Sequence, residues 1–341
     1  MGGTWTIPIY TEQGWTLLMG QQGDLLGAPL DIETGTVEMA EVFYLSNRQT
    51  LSDHSLRKCP DETYLHIASE SENSANFIFR YDKNFQLLWS GELPQTSPPH
   101  AANDVPAICG NIFQGAAIAQ ANGILDYFVP IDAQAQPQTR IELQDAPRMT
   151  GAGLMEWDSQ LFVISQELGP SLHIASYNSD FSLLEKWEVP PISSDIKHYW
   201  PSRILPIGDY FLVATMGRDP TLDWSMDTGD LYLLILDRNF AVVEWHQLSH
   251  NDLQQGGMRP WMEYHEDVLL VGYDKQTSLF LYRIELDLET FGVDLPTEEE
   301  NSWHVGLKEE ETKCGGLSTI FFCGLWLALH RRQNNLLISP A

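Results

Sequence analysis

The feature that most constrains this chain is a turn that it repeats. Tyr81-Asp82-Lys83-Asn84-Phe85-Gln86-Leu87-Leu88-Trp89 aligns directly with Tyr177-Asn178-Ser179-Asp180-Phe181-Ser182-Leu183-Leu184 and with Leu236-Asp237-Arg238-Asn239-Phe240-Ala241-Val242-Val243-Glu244-Trp245. Each reads as strand, Asx-type turn, strand. Asp and Asn bond their own backbone and tolerate left-handed conformations, and the flanking apolar alternation suits a half-buried hairpin. Weaker copies begin at Leu30-Asp31, Ile131-Asp132 and Leu286-Asp287. With Asp31, Asp82, Asp132, Asn178, Asp237 and Asp287 as markers, the steps are 51, 50, 46, 59 and 50 residues. A period near fifty, carrying four short strands per repeat, predicts the blades of an all-β propeller.

A second strand pair precedes the marked hairpins, as around Ser202–Thr215, Ser55–Ser69, Gln160–Ser165 and Val268–Tyr273. A further copy starts at Leu317-Ser318-Thr319-Ile320-Phe321-Phe322 and continues through Leu325-Trp326-Leu327-Ala328-Leu329-His330. Counting it gives seven four-stranded blades, with six as the alternative, in one domain spanning residues 1–341. Ring closure removes exposed sheet edges, so the N-terminal stretch Thr4–Ile9 is expected to pair with the terminal blade.

Asp in the turn followed by Trp in the next strand resembles the repeats of the quinoprotein-like and WD40-like propeller superfamily. The resemblance implies the fold. The Gly common in that turn is mostly absent here, and there is no Gly-His…Trp-Asp repeat, so no cofactor and no active-site residue is carried over.

Charge narrows the partners. The chain has 19 Lys+Arg against 47 Asp+Glu, a net charge of −28. Such a molecule repels nucleic-acid backbones and anionic membranes, and its partner is expected to be a small molecule or another protein. The N-terminal residues carry no signal-peptide pattern and no stretch is apolar enough for a membrane helix, which makes the cytoplasm the expected location. Cys59, Cys109, Cys314 and Cys323 are spread without a CxxC pair, so free core thiols are expected, with only Cys314 and Cys323 able to meet across a hairpin.

Propeller chemistry gathers where inter-blade loops meet the channel. Arg148, Arg203 and Arg259 recur near the starts of three innermost strands, each beside Pro and an aromatic residue or Met. Together they would offer planar, bidentate donors to a carboxylate, sulfate or phosphate. Tyr199, Trp200, Trp224, Trp261 and Trp303 supply surfaces for stacking, with His100 and Asp104 as further polar contacts. His198 and His250, with Asp252, are the candidates for acid–base work. Four loop histidines, His100, His198, His250 and His304, are spaced by roughly whole blades and are a candidate metal cluster, but no HxxxH or HExxH pair supports one and no metal site is assigned. No GxSxG context supports a serine nucleophile.

The leading expectation is thus a site for a small anionic or aromatic ligand at the channel mouth, with His-mediated catalysis open. A protein-interaction scaffold and a carbohydrate-binding or glycoside-cleaving propeller are the alternatives. Trp89, Trp187 and Trp245, in the repeated hairpins, are read as structural.

Overall fold

The structure is a computed structural model. It describes residues 5–21, 24–38, 43–46, 51–70, 76–93, 107–119, 125–132, 136–143, 152–166, 170–218, 229–250, 258–275, 278–287, 290–291 and 327–328. Six antiparallel sheets follow one another along the chain. Blade 1 holds β1 (Trp5–Thr11), β2 (Gly14–Gln21) and β3 (Asp24–Asp31), and its outer position is shared by β4 (Thr36–Val37) and β5 (Phe43–Ser46). Blade 2 is β6 (Leu51–Lys58), β7 (Tyr64–Glu70), β8 (Asn76–Tyr81) and β9 (Leu87–Glu92). Blade 3 is β10 (Ala107–Cys109), β11 (Gln114–Ala119), β12 (Leu125–Pro130) and β13 (Ile141–Glu142). Blade 4 is β14 (Ala152–Trp157), β15 (Gln160–Gln166), β16 (Leu172–Tyr177) and β17 (Leu183–Val189). Blade 5 is β18 (Lys197–Ile207), β19 (Tyr210–Arg218), β20 (Asp230–Leu236) and β21 (Val242–Gln247). Blade 6 is β22 (Met258–His265), β23 (Val268–Lys275), β24 (Ser278–Leu286) and β25 (Leu327–Ala328).

The propeller therefore has six blades, which corrects the expected seven. The stretch read as a seventh copy supplies β25, the outer strand of blade 6, where Leu327 pairs with Leu286 and Ala328 with Glu285. The expected strand exchange at the N-terminus is also corrected. β1 pairs with β2 along its whole length, from Trp5 opposite Gly20 to Thr11 opposite Gly14, as the innermost strand of its own blade. The ring closes by side-chain packing instead. Trp15, Leu17, Ala28 and Leu30 of blade 1 share a buried cluster with Leu270 of blade 6. Tyr10 stacks on His265 with ring centroids 3.3 Å apart, and Arg283 Nη2 lies 3.0 Å from Glu33 Oε1.

Each seam between neighbouring blades carries its own apolar cluster. β20 shows the cause: Leu231, Leu233 and Ile235 face blade 6, while Tyr232, Leu234 and Leu236 face blade 4. Alternate side chains enter opposite faces of a strand, and both faces are covered here. Such a strand reads as an unbroken apolar run.

The repeated turn is built as the sequence implies. Oδ1 of Asp82 accepts from the backbone N–H groups of Asn84 and Gln86, and Oδ1 of Asp237 from those of Asn239 and Ala241. Its left-handed position is filled by Phe85, Phe181 and Phe240, with φ of 59°, 63° and 59°, rather than by Gly. Phe240 is 2% exposed and stacks on Phe211 at 4.7 Å. The left-handed conformation costs a non-Gly residue about 1–2 kcal/mol. Burying a Phe returns about 1.5–3 kcal/mol, so burial offsets the strain.

Two residue-level expectations change. Cys59 and Cys109 are joined in a disulfide, not free. Both stand at the end of an innermost strand, so a separation of one repeat brings them together across the seam of blades 2 and 3, with Cα atoms 4.9 Å apart. Cys314 and Cys323 lie outside the described residues. Trp89 and Trp187 pack against the seam clusters, but Trp245 is 44% exposed and only partly contributes to packing.

Candidate functional site

Neighbouring strands within each blade run antiparallel. Links from first to second strand and from third to fourth therefore leave one face of the ring. Links from second to third strand, and from blade to blade, leave the other. By their places in the chain the predicted site residues fall on this second face, the loop face, except Trp303, which falls in the third-to-fourth link between β24 and β25. Arg148, His100, Asp104, Trp224, Asp252 and Trp303 lie outside the described residues. The backbone of His198, Tyr199, Trp200 and Arg203 belongs to β18, and that of Arg259 and Trp261 to β22, the innermost strands of adjacent blades.

Both strands break register at these residues. In the pairing of β18 with β19, Tyr199 opposes Met216, Pro201 opposes Thr215 and Ile204 opposes Val213, so β18 carries surplus residues on either side of Pro201. In the pairing of β22 with β23, Met258 opposes Asp274 and Trp261 opposes Gly272, which leaves Arg259 and Pro260 in the irregular stretch. Proline gives no N–H to a ladder and is tolerated at such bulges. Bulges re-aim side chains and are frequent beside functional sites. Arg203 and Arg259 thus occupy irregular backbone on neighbouring innermost strands. Trp261 packs against the cluster between blades 6 and 1, with its ring on Gly272, where a Cβ would sit 2.2 Å from Trp261 Cζ2. Its Nε1 is buried, without a hydrogen-bond partner among the described residues.

His250 follows β21 at the loop face and is exposed. Nε2 of Gln247 lies 3.0 Å from His250 Nδ1, 3.0 Å from Asp230 Oδ2 and 3.0 Å from the Ser249 carbonyl oxygen. Ser249 Oγ donates to Asp230 Oδ1 at 3.2 Å and accepts from the Leu231 N–H at 2.8 Å. The Gln247 amide has two N–H groups to share among these three acceptors, and in the tautomer with its proton on Nε2 the His250 ring accepts through Nδ1. In that tautomer the other edge of the imidazole carries an N–H donor. Gln247 reaches Asp230 because it opposes Tyr232, two residues along β20, in the ladder. A separation of 17 residues across a hairpin leaves no local motif for a sequence reading to find.

Near this face Asp195 accepts from Ser194 Oγ at 3.1 Å and is exposed, and the backbone of His198 pairs with Gly217 in the ladder. Among the described residues, no three His, Cys, Asp or Glu side chains gather as a metal site. On the opposite face, a cleft of about 260 Å³ between blades 3 and 4 is lined by Phe113, Gln114, Phe128, Ile131, Ser179 and Phe181.

No known protein family matches the sequence, and no curated protein resembles it at the level of sequence. Solved structures do resemble the fold. The pyranose dehydrogenase PQQ domain from Coprinopsis cinerea superposes with a TM-score of 0.52 at 13% identity, over 82% of this chain and 92% of that one. A protein of unknown function from Bacteroides caccae superposes with a TM-score of 0.50 at 11% identity, over 72% of this chain and 83% of that one. At such identities the likeness shows a common propeller architecture.

Proposed function

We propose that this propeller binds a small anion, a carboxylate, sulfate or phosphate, at the loop face where blades 4, 5 and 6 meet, with Arg148, Arg203 and Arg259 as its donors. The observation that carries the reading is the pair of bulges that set Arg203 and Arg259 on irregular backbone of adjacent innermost strands. Guanidinium groups suit planar oxyanions because they donate two parallel hydrogen bonds. A local cationic spot on a chain of net charge −28 favours a small ligand in a shielded pocket over an extended polyanion. His250, 3.0 Å from Gln247 Nε2 at the same face, and His198 on β18 are the proton-transfer candidates.

Thermal unfolding in the presence of citrate, sulfate or inorganic phosphate tests this. A ligand at about a hundred times its Kd stabilises the folded chain by about 2.7 kcal/mol. At least one of these anions should raise the melting temperature of the wild type in a saturable way, and the response should vanish in Arg203→Ala with Arg259→Ala. An identical response in the double variant would refute the site.

One observation favours a second reading, a protein-docking rim. Leu88, Leu184 and Val243 occupy the same position in three repeats and are 57%, 50% and 50% exposed on the outer strands. Leu184→Glu with Val243→Glu should then abolish co-purification of a protein partner and leave the anion response intact.

A further inference from the structure

On the face opposite the proposed site, a disulfide lies against a buried cation. Arg80, on β8 and 8% exposed, donates from Nη1 to Cys109 Sγ at 3.3 Å. Its Nη2 donates to both carboxylate oxygens of Asp61, at 3.1 and 2.9 Å. Asp61 stands two residues beyond Cys59, in the exposed turn that follows β6. A disulfide sulfur is a weak, neutral acceptor and has no need of a guanidinium. A thiolate gains from one, because a neighbouring cation lowers the thiol pKa, and a lower-pKa thiol leaves faster in exchange.

The seam also has other ties. Ser55 Oγ accepts from the Ala107 N–H at 3.2 Å, and Arg57 Nε donates to the Ala107 carbonyl at 3.2 Å. Buried Leu65, Ile67, Ile78 and Val129 pack across it. Blades 2 and 3 therefore have noncovalent contacts to hold them when the bond opens.

We infer that Cys59–Cys109 is an exchangeable disulfide, opened in the folded chain by a small dithiol, with Cys109 released as a thiolate against Arg80. Cys59 and Cys109 are 3% and 8% exposed, so in the first step the exposed turn after β6 opens locally and a thiolate of the dithiol attacks Cys59 Sγ. The new bond is a mixed disulfide at Cys59, the Cys59–Cys109 bond breaks, and its electron pair leaves on Cys109. The second thiol of the reductant loses its proton to solvent and attacks its own sulfur in the mixed disulfide. Cys59 leaves and takes up a proton, and the reductant departs as a cyclic disulfide. The protein is reduced by two electrons and the dithiol is oxidised by two.

The test uses the full chain and dithiothreitol. Thiols are counted by alkylation and peptide mass mapping, which separates Cys59 and Cys109 from Cys314 and Cys323, and global unfolding is followed by Trp fluorescence. The bond should form in air and open under native conditions faster than the chain unfolds. In the reduced chain, Cys109 should alkylate with a pH midpoint below that of Cys59. Arg80→Met should slow Cys109 alkylation near neutral pH by roughly tenfold, the equivalent of one pKa unit, and Arg80→Lys should restore most of the rate. If Arg80→Met does not fold, the comparison of Cys109 with Cys59 in the wild type decides. Four free thiols after exposure to oxidant, opening no faster than global unfolding, or matching pH profiles for the two cysteines would each overturn the inference.

Discussion

Phenylalanine in a left-handed turn is a local contradiction that tertiary packing resolves. Phe240 has φ 59° yet is 2% exposed, so its backbone preference and its side-chain burial pull in opposite directions. Phe240→Gly separates them. The glycine relieves about 1–2 kcal/mol of backbone strain while the lost ring removes about 3–5 kcal/mol. The variant is expected to be less stable by about 1–4 kcal/mol in urea unfolding; a gain in stability would mean that strain governs the turn. The Asp and Asn of these turns were legible in the sequence because their role is local, a side chain bonding its own backbone two and four residues on. The Phe was legible as apolar but not as left-handed, because nothing in its neighbours within the sequence announces the aromatic surface of Phe211 on which it rests.

At the scale of the strand, β21 mixes environments along one outer edge. His246 Nε2 lies 3.2 Å from Glu244 Oε1, on the half-buried side of the strand. Burial lowers its pKa from the ordinary 6.5, and the carboxylate of Glu244, which pulls the other way, does not make up the difference. The unfolded chain therefore takes up this proton at a higher pH than the folded chain does. The contribution is fully present above about pH 6.5 and is lost as the pH falls from there through the lower folded value. His246→Gln should flatten the fall in melting temperature between about pH 7 and about pH 5; an unchanged slope would assign that fall to other groups. Strands buried on both faces, such as β20, were legible as apolar runs, and the hairpins as alternations. The bulges in β18 and β22 were not. A bulge is a property of two strands in register, and Pro201 and Pro260 hint at irregularity without fixing which residues are surplus. The link from Asp230 through Gln247 to His250 has the same character, since the ladder and not the spacing brings these side chains together.

Across the whole ring, seams are pinned by different chemistry on one shared face. Blades 2 and 3 have the disulfide, and blades 6 and 1 have Tyr10 on His265. Blades 3 and 4 have Glu156, whose Oε1 accepts from the Asn111 N–H at 3.1 Å and whose Oε2 accepts from those of Ile112 and Phe113 at 2.9 and 2.8 Å. Gly110 leaves room for that carboxylate, because a Cβ there would lie 2.1 Å from Glu156 Oε2. Glu156→Gln turns an NH2 group towards backbone donors and should cost about 2 kcal/mol. A variant with unchanged urea unfolding would show that water serves those N–H groups equally well.

The architecture was legible because a period near fifty is a global pattern; the number of blades was not, because the last apolar segments resemble the start of another copy while one of them completes blade 6. Ring closure without strand exchange has a further consequence. Every blade is assembled from consecutive strands of its own, so the boundary of a blade in space is also a boundary in the sequence. Tandem duplication or deletion of one repeat would therefore add or remove a complete sheet and leave no half-sheet orphaned at the seam. Copy number in such a lineage is free to drift by whole units, limited by how six wedges of this taper fill a circle and not by the wiring of the chain.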